Sequence, residues 1–228
     1  MIRTHIAVLA IAAAIAPAVF AATEADKRLD AAADLVTDMM DAKDKGIPQE
    51  LLNKSQCVIL VPGLKKAALG FGGKFGRGFA LCRRPGGSGW SAPAAIRVEG
   101  GSVGFQIGLS EQDVLLLVTN ETGMKRLLAD KFTVGAEATA AAGPVGRDAS
   151  DQTDAVMRAE MLSYSRSRGL FAGVSLQGAT MRPDTDANEE LYGKKMENKD
   201  ILTGDIAAPA AAEKLETLLN RNSARRIK

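Results

Sequence analysis

The chain has 228 residues, and its 29 basic residues nearly balance its 27 acidic ones, giving a formal net charge of +2. An aromatic content of only 4% and a total of 23 glycines favour closely packed strands and turns over a helical bundle. The one histidine is His5, so residues 6–228 contain no histidine. This excludes Ser-His-Asp and Cys-His catalysis and His-ligated metal sites, and we expect no enzymatic activity, no metal and no cofactor.

The first 21 residues have the pattern of a secretory signal peptide. Arg3 supplies the positive start, residues 6–20 are apolar, and Val19-Phe20-Ala21 fits the small-residue cleavage rule. The apolar run is too short to span a bilayer comfortably, and no later stretch is long and apolar enough. We therefore expect export after cleavage behind Ala21, to the periplasm or the cell exterior, and a position peripheral to a membrane.

Residues 23–41 predict the first helix. Apolar residues recur at helical spacing, Thr23 suits the N-cap position, and Asp26 stands three residues later, as in a capping box. Four aspartates from Asp26 to Asp38 follow one another at i, i+4 spacing, which destabilises an isolated helix by roughly 0.2–0.5 kcal/mol per pair. A basic surface should compensate, and we expect this helix to dock on the basic block of residues 51–98.

That basic block holds eight cationic residues and no acidic one. Such segregation of charge usually has an anionic partner. The balanced charge of the whole chain and the predicted export argue against nucleic acid as that partner. The eight residues are Lys54, Lys65, Lys66, Lys74, Arg77, Arg83, Arg84 and Arg97.

From residue 57 onward the pattern is mostly that of strands. Turns are predicted at Pro62-Gly63, at residues 85–89 and at Gly100-Gly101. The predicted strands cover residues 57–61, 69–81, 90–98, 103–109, 114–118, 132–142 and 169–181.

The later helices are predicted at residues 120–131, 188–197 and 209–221. Residues 184–188 resemble the start of a calcium loop, but Glu189 stands where that loop requires Gly. An acidic turn with Asn188 as a helix cap is the better interpretation. Together the elements predict an α+β fold: a curved, mostly antiparallel sheet that could close towards a barrel, flanked by N- and C-terminal helices.

The glycine-rich run at residues 70–78, GFGGKFGRG, is not a P-loop, because no Gly-Lys-Ser/Thr follows and the surrounding pattern is that of a strand. Phe71, Phe75 and Phe79 should instead share one face of that strand. The two cysteines, Cys57 and Cys82, allow two interpretations of equal weight: a disulfide, or two buried thiols in neighbouring strands.

Residues 163–178, SYSRSRGLFAGVSLQG, join a basic, hydroxyl-rich turn to a glycine-punctuated strand. The segment resembles the central motif of the SYLF-domain family. Further similar stretches are CVILVPGLKKAALGFGGKFGRGFALCR from Cys57, WSAPAAI from Trp90, AAGPVGR from Ala141 and ANEELYG from Ala187. The resemblance covers roughly residues 23–202.

The resemblance implies binding of phospholipids, phosphoinositides in particular, and links eukaryotic members to actin filaments. Actin would be out of reach of an exported bacterial member, so we expect an anionic phospholipid membrane surface as the partner. The alternative is a structural module of the cell envelope that binds another protein. In eukaryotic members a basic N-terminal segment is associated with membrane contact. The first helix here is acidic, so we do not assign that role to it.

The predicted organisation is a signal peptide at 1–21, a SYLF-like lipid-binding domain at 22–202, and a C-terminal helix with a basic tail at 203–228. Within the opening motif, the side chains expected to make contact are the two arginines and the hydroxyls that surround them. The candidate lipid- or anion-binding residues are Lys65, Lys66, Lys74, Arg77, Arg166 and Arg168.

Overall fold

The computed structural model describes residues 22–42, 46–84, 86, 89–145, 158–167, 170–174 and 176–223, with the backbone alone for 68–71, 102–108, 167 and 171. A 3-10 turn at Ala210–Ala212 precedes the last helix. The α-helices of these residues are α1 Glu24–Asp41, α2 Gln49–Lys54, α3 Glu121–Leu127, α4 Thr185–Tyr192, α5 Asn198–Thr203 and α6 Glu213–Ser223.

The strands of the described chain form one seven-stranded sheet. All of its pairings are antiparallel except that of β4 with β5, so the predicted α+β fold with a mostly antiparallel, curved sheet is confirmed. The strands are β1 Cys57–Cys82, β2 Ala94–Val118, β3 Phe132–Thr133, β4 Ala140–Ala142, β5 Met161–Ser167, β6 Leu170–Gly173 and β7 Thr180–Pro183.

Two strands, β1 and β2, dominate the sheet. They are 26 and 25 residues long and pair from Cys57 opposite Val118 to Ala80 opposite Ala94. The turn predicted at Pro62-Gly63 is wrong: Gly63, with φ of 61°, lies in a bulge between Val61 and Leu64, and the strand continues. A bulge shifts the register by the extra residue without reversing the chain.

The turn predicted at Gly100-Gly101 is also wrong, because β2 runs straight through both residues. A side chain at Gly100 would meet the carbonyl oxygen of Gly178 at 2.7 Å. Gly100 therefore permits the close approach of another chain segment, and the residue type alone does not separate this role from a turn.

The β1–β2 ribbon curls so far that its two ends meet. Cys57 and Cys82, at the ends of β1, are joined by a disulfide with an S–S distance of 2.02 Å, and both are fully buried. A Cβ on Gly78 would stand 2.0 Å from the carbonyl oxygen of Leu60. The first and last thirds of β1 thus pack directly on each other, and only glycine fits at the crossing.

The sheet separates two apolar cores, following the alternation of side chains along each strand. Val58 and Leu60 belong to the core on the outer face, which α1 and α6 cover. Ile59 and Val61 belong to the core on the inner face, which α3 and α5 cover.

Helix α1 begins as the sequence predicts. The Thr23 side chain accepts a hydrogen bond from the Asp26 amide, and the Asp26 carboxylate accepts one from the Thr23 amide, which completes a capping box. The helix packs on β1, within the 51–98 block, as expected, but the ion pairs of its acidic row are formed elsewhere. Asp34 pairs with Lys214 at 2.8 Å and Asp38 pairs with Arg166, both outside the 51–98 block.

Helix α4 is capped by Asp184, whose carboxylate accepts from the Ala187 amide, and not by Asn188 as predicted. Asn188 is fully buried inside the helix. Its side-chain oxygen accepts from the Ala95 amide at 2.8 Å, and its side-chain nitrogen donates to Asn198 at 2.7 Å. This amide pair fixes α4 and α5 to β2. The helix predicted at 188–197 ends early, at Tyr192, because Gly193 adopts a left-handed C-cap conformation with φ of 68°.

The C-terminal end of α6 is held by the β1–β2 connection. The buried guanidinium of Arg83 lies 3.8 Å from the centre of the Trp90 ring and bonds to the Ser223 carbonyl. The indole nitrogen of Trp90 donates to the same carbonyl at 2.9 Å. A cation at a helix C-terminus is stabilising, so Arg83 of the basic block has a structural role.

Candidate functional site

The six candidate residues fall into three groups. Lys65, Lys66 and Lys74 lie on the part of the ribbon that extends beyond the crossing. Arg77 and Arg166 are paired with carboxylates of the same chain. Arg168 lies outside the described residues.

Arg77 belongs to a charge cluster centred on the buried carboxylate of Asp184. It stands directly opposite Arg97 in the β1–β2 register, and two like charges at that position would repel each other. The carboxylate of Asp184 resolves this, with Oδ2 at 2.9 Å from Arg77 Nε and Oδ1 at 2.9 Å from Arg97. Hydrogen bonding to Asp184 also raises the pKa of Arg97. Since the Asp184 side chain is only 1% exposed, the cluster is a structural part of the fold.

Arg166 joins three elements. Its guanidinium bonds to Asp113 of β2 at 2.7 and 3.0 Å and forms an ion pair with Asp38 of α1. Two hydroxyl residues of the same motif also lie inside the fold: Ser163 is buried and donates to backbone carbonyls, and the Tyr164 ring is buried in the outer core. The described part of this motif therefore builds the scaffold.

The ribbon arm, defined as residues 64–75 of β1 with their partners 99–112 of β2, carries the three lysines. Lys65 is exposed on the outer face, opposite Glu111. Lys66 and Lys74 lie on the inner face, and Lys74 donates to the carbonyl of Gln177 at 3.2 Å. Burial lowers the pKa of Lys66, and the charge of Lys74 lowers it further, so the two ammonium groups are neighbours.

The ion pairs found among the described residues do not include these three lysines. Among the described residues the arm therefore presents three lysines without an ion-pair partner, although Glu111 stands opposite Lys65 in the strand register. This distinguishes Lys65, Lys66 and Lys74 from Arg77 and Arg166.

Exposed apolar side chains accompany the lysines, and no sequence pattern predicts their exposure. Leu109 is 87% exposed on the outer face of the arm, opposite Ala67, and Phe75 is 50% exposed beside Lys74. Phe79, four residues after Phe75, is fully buried. Strand alternation assigns Phe75 and Phe79 to the same face, but it does not reveal where the covering helix ends.

Within the described parts of the chain, no helix is long and apolar enough to cross a membrane. The same residues contain no cluster of three or more His, Cys, Asp or Glu side chains suited to a metal ion.

A family model described as "Las17-binding protein actin regulator", Ysc84, matches residues 99–222. The chain belongs to the Ysc84 family. This confirms the resemblance to the SYLF-domain family that the motifs indicated. The matched region runs from the β2 side of the ribbon arm to α6, and the three lysines of β1 precede it.

Ysc84-family relatives are similar over most of this chain. It is 36% identical over 177 residues to an SH3 domain-containing protein of Schizosaccharomyces pombe, which covers 76% of this chain and 41% of the relative. It is 33% identical over 178 residues to SH3 domain-containing YSC84-like protein 1 of Rattus norvegicus, and the match covers 78% of this chain and 52% of the relative. Protein YSC84 of Saccharomyces cerevisiae is 32% identical over 179 residues, and the match covers 77% of this chain and 38% of the relative. The chain spans half or less of the length of most of these relatives.

Proposed function

We propose that this chain is a non-enzymatic protein that binds anionic phospholipid headgroups, with phosphoinositide-type headgroups as the leading class. The observation that carries the proposal is the ribbon arm, where Lys65, Lys66 and Lys74 form no ion pair with any described carboxylate. Membership of the Ysc84 family supports it, because lipid binding is the activity that the family resemblance implies. The description of the family model names Las17 binding and actin regulation, and it does not name a lipid.

The expected strength of binding follows from the charges and the apolar residues of the arm. A lysine near an anionic membrane contributes about 1 kcal/mol, so three contribute about 3 kcal/mol, roughly a hundredfold in affinity. Fully burying a leucine adds about 1.5–3 kcal/mol, and Leu109 is 87% exposed in the free protein. Charge would bring the arm to the surface, and Leu109 would hold it there.

Co-sedimentation with vesicles tests this proposal. We expect binding to phosphatidylcholine vesicles that contain phosphatidylglycerol, stronger binding when phosphatidylinositol 4-phosphate is added, and weak binding to phosphatidylcholine alone. Binding should fall between low and high salt, because exposed charges are screened over about 8–10 Å at moderate ionic strength. Equal binding to neutral and acidic vesicles, or binding indifferent to salt, would contradict the proposal.

We also propose that the protein acts outside the cytoplasm, in the cell envelope, because residues 1–21 match a signal peptide. Expression of the full chain in a two-membrane bacterium followed by osmotic shock tests this. The released protein should begin at Ala22 by mass spectrometry. Protein that stays with the cytoplasmic fraction and keeps Met1 would argue against export.

A second candidate function is binding to a protein partner in the envelope. The exposed Leu109 and Phe75 favour it, as does the description of the family model as Las17-binding. A photo-crosslinking amino acid at Leu109 separates the two candidates. A single reproducible protein adduct together with absent vesicle binding would favour this second function.

A further inference from the structure

The inner face of the ribbon arm brings two lysines together by a simple geometric route. A Cβ on Gly76 would meet the Leu64 side chain at 2.7 Å, so these two residues mark the point where β1 packs on itself. Side chains two residues apart lie on the same strand face. Two residues beyond the contact in each direction are Lys66 and Lys74, which therefore face the same space from opposite sides.

A third donor lies beside them. Gln112 pairs with Leu64 across the ribbon, which places its side chain on the inner face, diagonal to Lys66. Its side-chain nitrogen is buried and finds no hydrogen-bond partner among the described residues. A buried donor without an acceptor costs about 1–3 kcal/mol, so a ligand that supplies an acceptor would bind favourably here.

The carboxylates of the arm point away from this space. Glu99 lies opposite Phe75 and Glu111 opposite Lys65, so both are on the outer face. Lys74 is already positioned by its hydrogen bond to the Gln177 carbonyl at 3.2 Å. The space thus offers two cations and one amide donor, and neither carboxylate of the arm faces it.

We propose that Lys66, Lys74 and Gln112 form a binding site for one phosphate group on the inner face of the ribbon arm. The inference deepens the proposed function, on which it rests for the source of that phosphate as a lipid headgroup. A phosphate has enough oxygens to accept from all three donors at once, which a single carbonyl does not. A phosphomonoester carries more charge than a diester and should bind more tightly.

Nuclear magnetic resonance of the ¹⁵N-labelled protein during titration with inorganic phosphate tests the site. We expect a saturable shift of the Gln112 side-chain amide, and no such shift with chloride at the same ionic strength. Gln112→Leu removes that amide, so its phosphate affinity is followed through the backbone amides of Lys66 and Lys74. It should be about tenfold weaker, the least effect of losing a hydrogen bond to a charged group. The double variant Lys66→Gln/Lys74→Gln should abolish the shift.

The matched control is Lys125→Gln/Lys195→Gln, which removes two exposed lysines elsewhere and should change phosphate affinity less than twofold. Wild-type dispersion of the backbone spectrum shows that each variant is folded. If a lysine variant unfolds, the phosphate affinity of Gln112→Leu alone tests the site. Equal shifts with chloride, or unchanged phosphate affinity in Gln112→Leu, would overturn the site.

Vesicle binding of the same variants separates this inference from the proposed function. Phosphate binding that phosphatidylinositol 4-phosphate vesicles compete away supports the site with a lipid as its source. Saturable phosphate binding without vesicle binding supports the site with free phosphate as its source, while the proposed function fails. Vesicle binding that Gln112→Leu leaves intact, with no phosphate-specific shift, refutes the site and leaves the proposed function standing.

Discussion

Replacing Gly78 by alanine should disrupt the closure of the ribbon. The added methyl group would stand 2.0 Å from the carbonyl oxygen of Leu60 and 2.9 Å from the Cα of Val61, whereas Cβ contacts under 3.0 Å essentially never occur. The obstacle is the backbone of a fully buried strand, so no side chain can rotate away. Overpacking costs typically 1–3 kcal/mol, and we expect about 3 kcal/mol here.

Thermal unfolding followed by circular dichroism measures this effect. For a chain of about 200 residues, 1 kcal/mol corresponds to about 2–4 °C in Tm, so Gly78→Ala should lower Tm by roughly 6–12 °C. The matched control is Gly101→Ala in β2, where a Cβ meets nothing within 4 Å and the chain should be unchanged or slightly stabilised. If both variants melt within 2 °C of the wild type, the two parts of β1 do not pack on each other as described.

Three further predictions concern charged groups. Asp184→Asn should cost about 3 kcal/mol by leaving Arg77 and Arg97 opposed without their shared carboxylate, seen as a lower urea midpoint at unchanged m. Arg166→Ala should lower Tm by a few degrees yet leave vesicle binding within twofold, because its guanidinium is engaged by carboxylates of this chain. Burial raises the pKa of Glu216, so its protonated form favours folding at low pH and this contribution is lost as pH rises through the folded-state pKa. Glu216→Gln should therefore raise Tm at pH 7 and have little effect below about pH 4.

Each of these has an outcome that contradicts it. Asp184→Asn with an unchanged urea midpoint would mean that the two arginines do not need this carboxylate. Arg166→Ala with intact Tm but weakened vesicle binding would restore Arg166 to the lipid site. A Tm gain for Glu216→Gln that persists at low pH would exclude ionisation as its cause.

The sequence predicts best where the determinants are local. The N-cap of α1 depends on Thr23 and Asp26 alone, and it was placed correctly. Gly63 and Gly100 were predicted as turn residues because glycine is found in turns. Glycine is equally suited to a bulge or to a close approach of two chain segments, so the residue type does not separate these roles. Only the partner segment, Glu111 beside Gly63 and Gly178 beside Gly100, distinguishes these roles.

The same limit applies to the candidate site. By composition, Arg77 and Lys74 are equivalent members of one basic block. Their difference depends on Asp184, which lies 107 residues from Arg77 in the chain and neutralises it. No sequence pattern identifies Gln112 as a site residue. Its role depends on its side-chain nitrogen being buried without a hydrogen-bond partner next to Lys66.

The proposed function requires the lysines of the ribbon arm to bind an anionic membrane. Affinity for phosphatidylglycerol-containing vesicles, measured by co-sedimentation at low salt, tests it most directly in two variants that each lose three positive charges. One replaces Lys65, Lys66 and Lys74 by Gln, and its control replaces the exposed Lys125, Lys194 and Lys195 by Gln. We expect roughly hundredfold weaker binding for the first variant and less than twofold change for the control. Equal losses in the two variants, or no loss in the first, would contradict it.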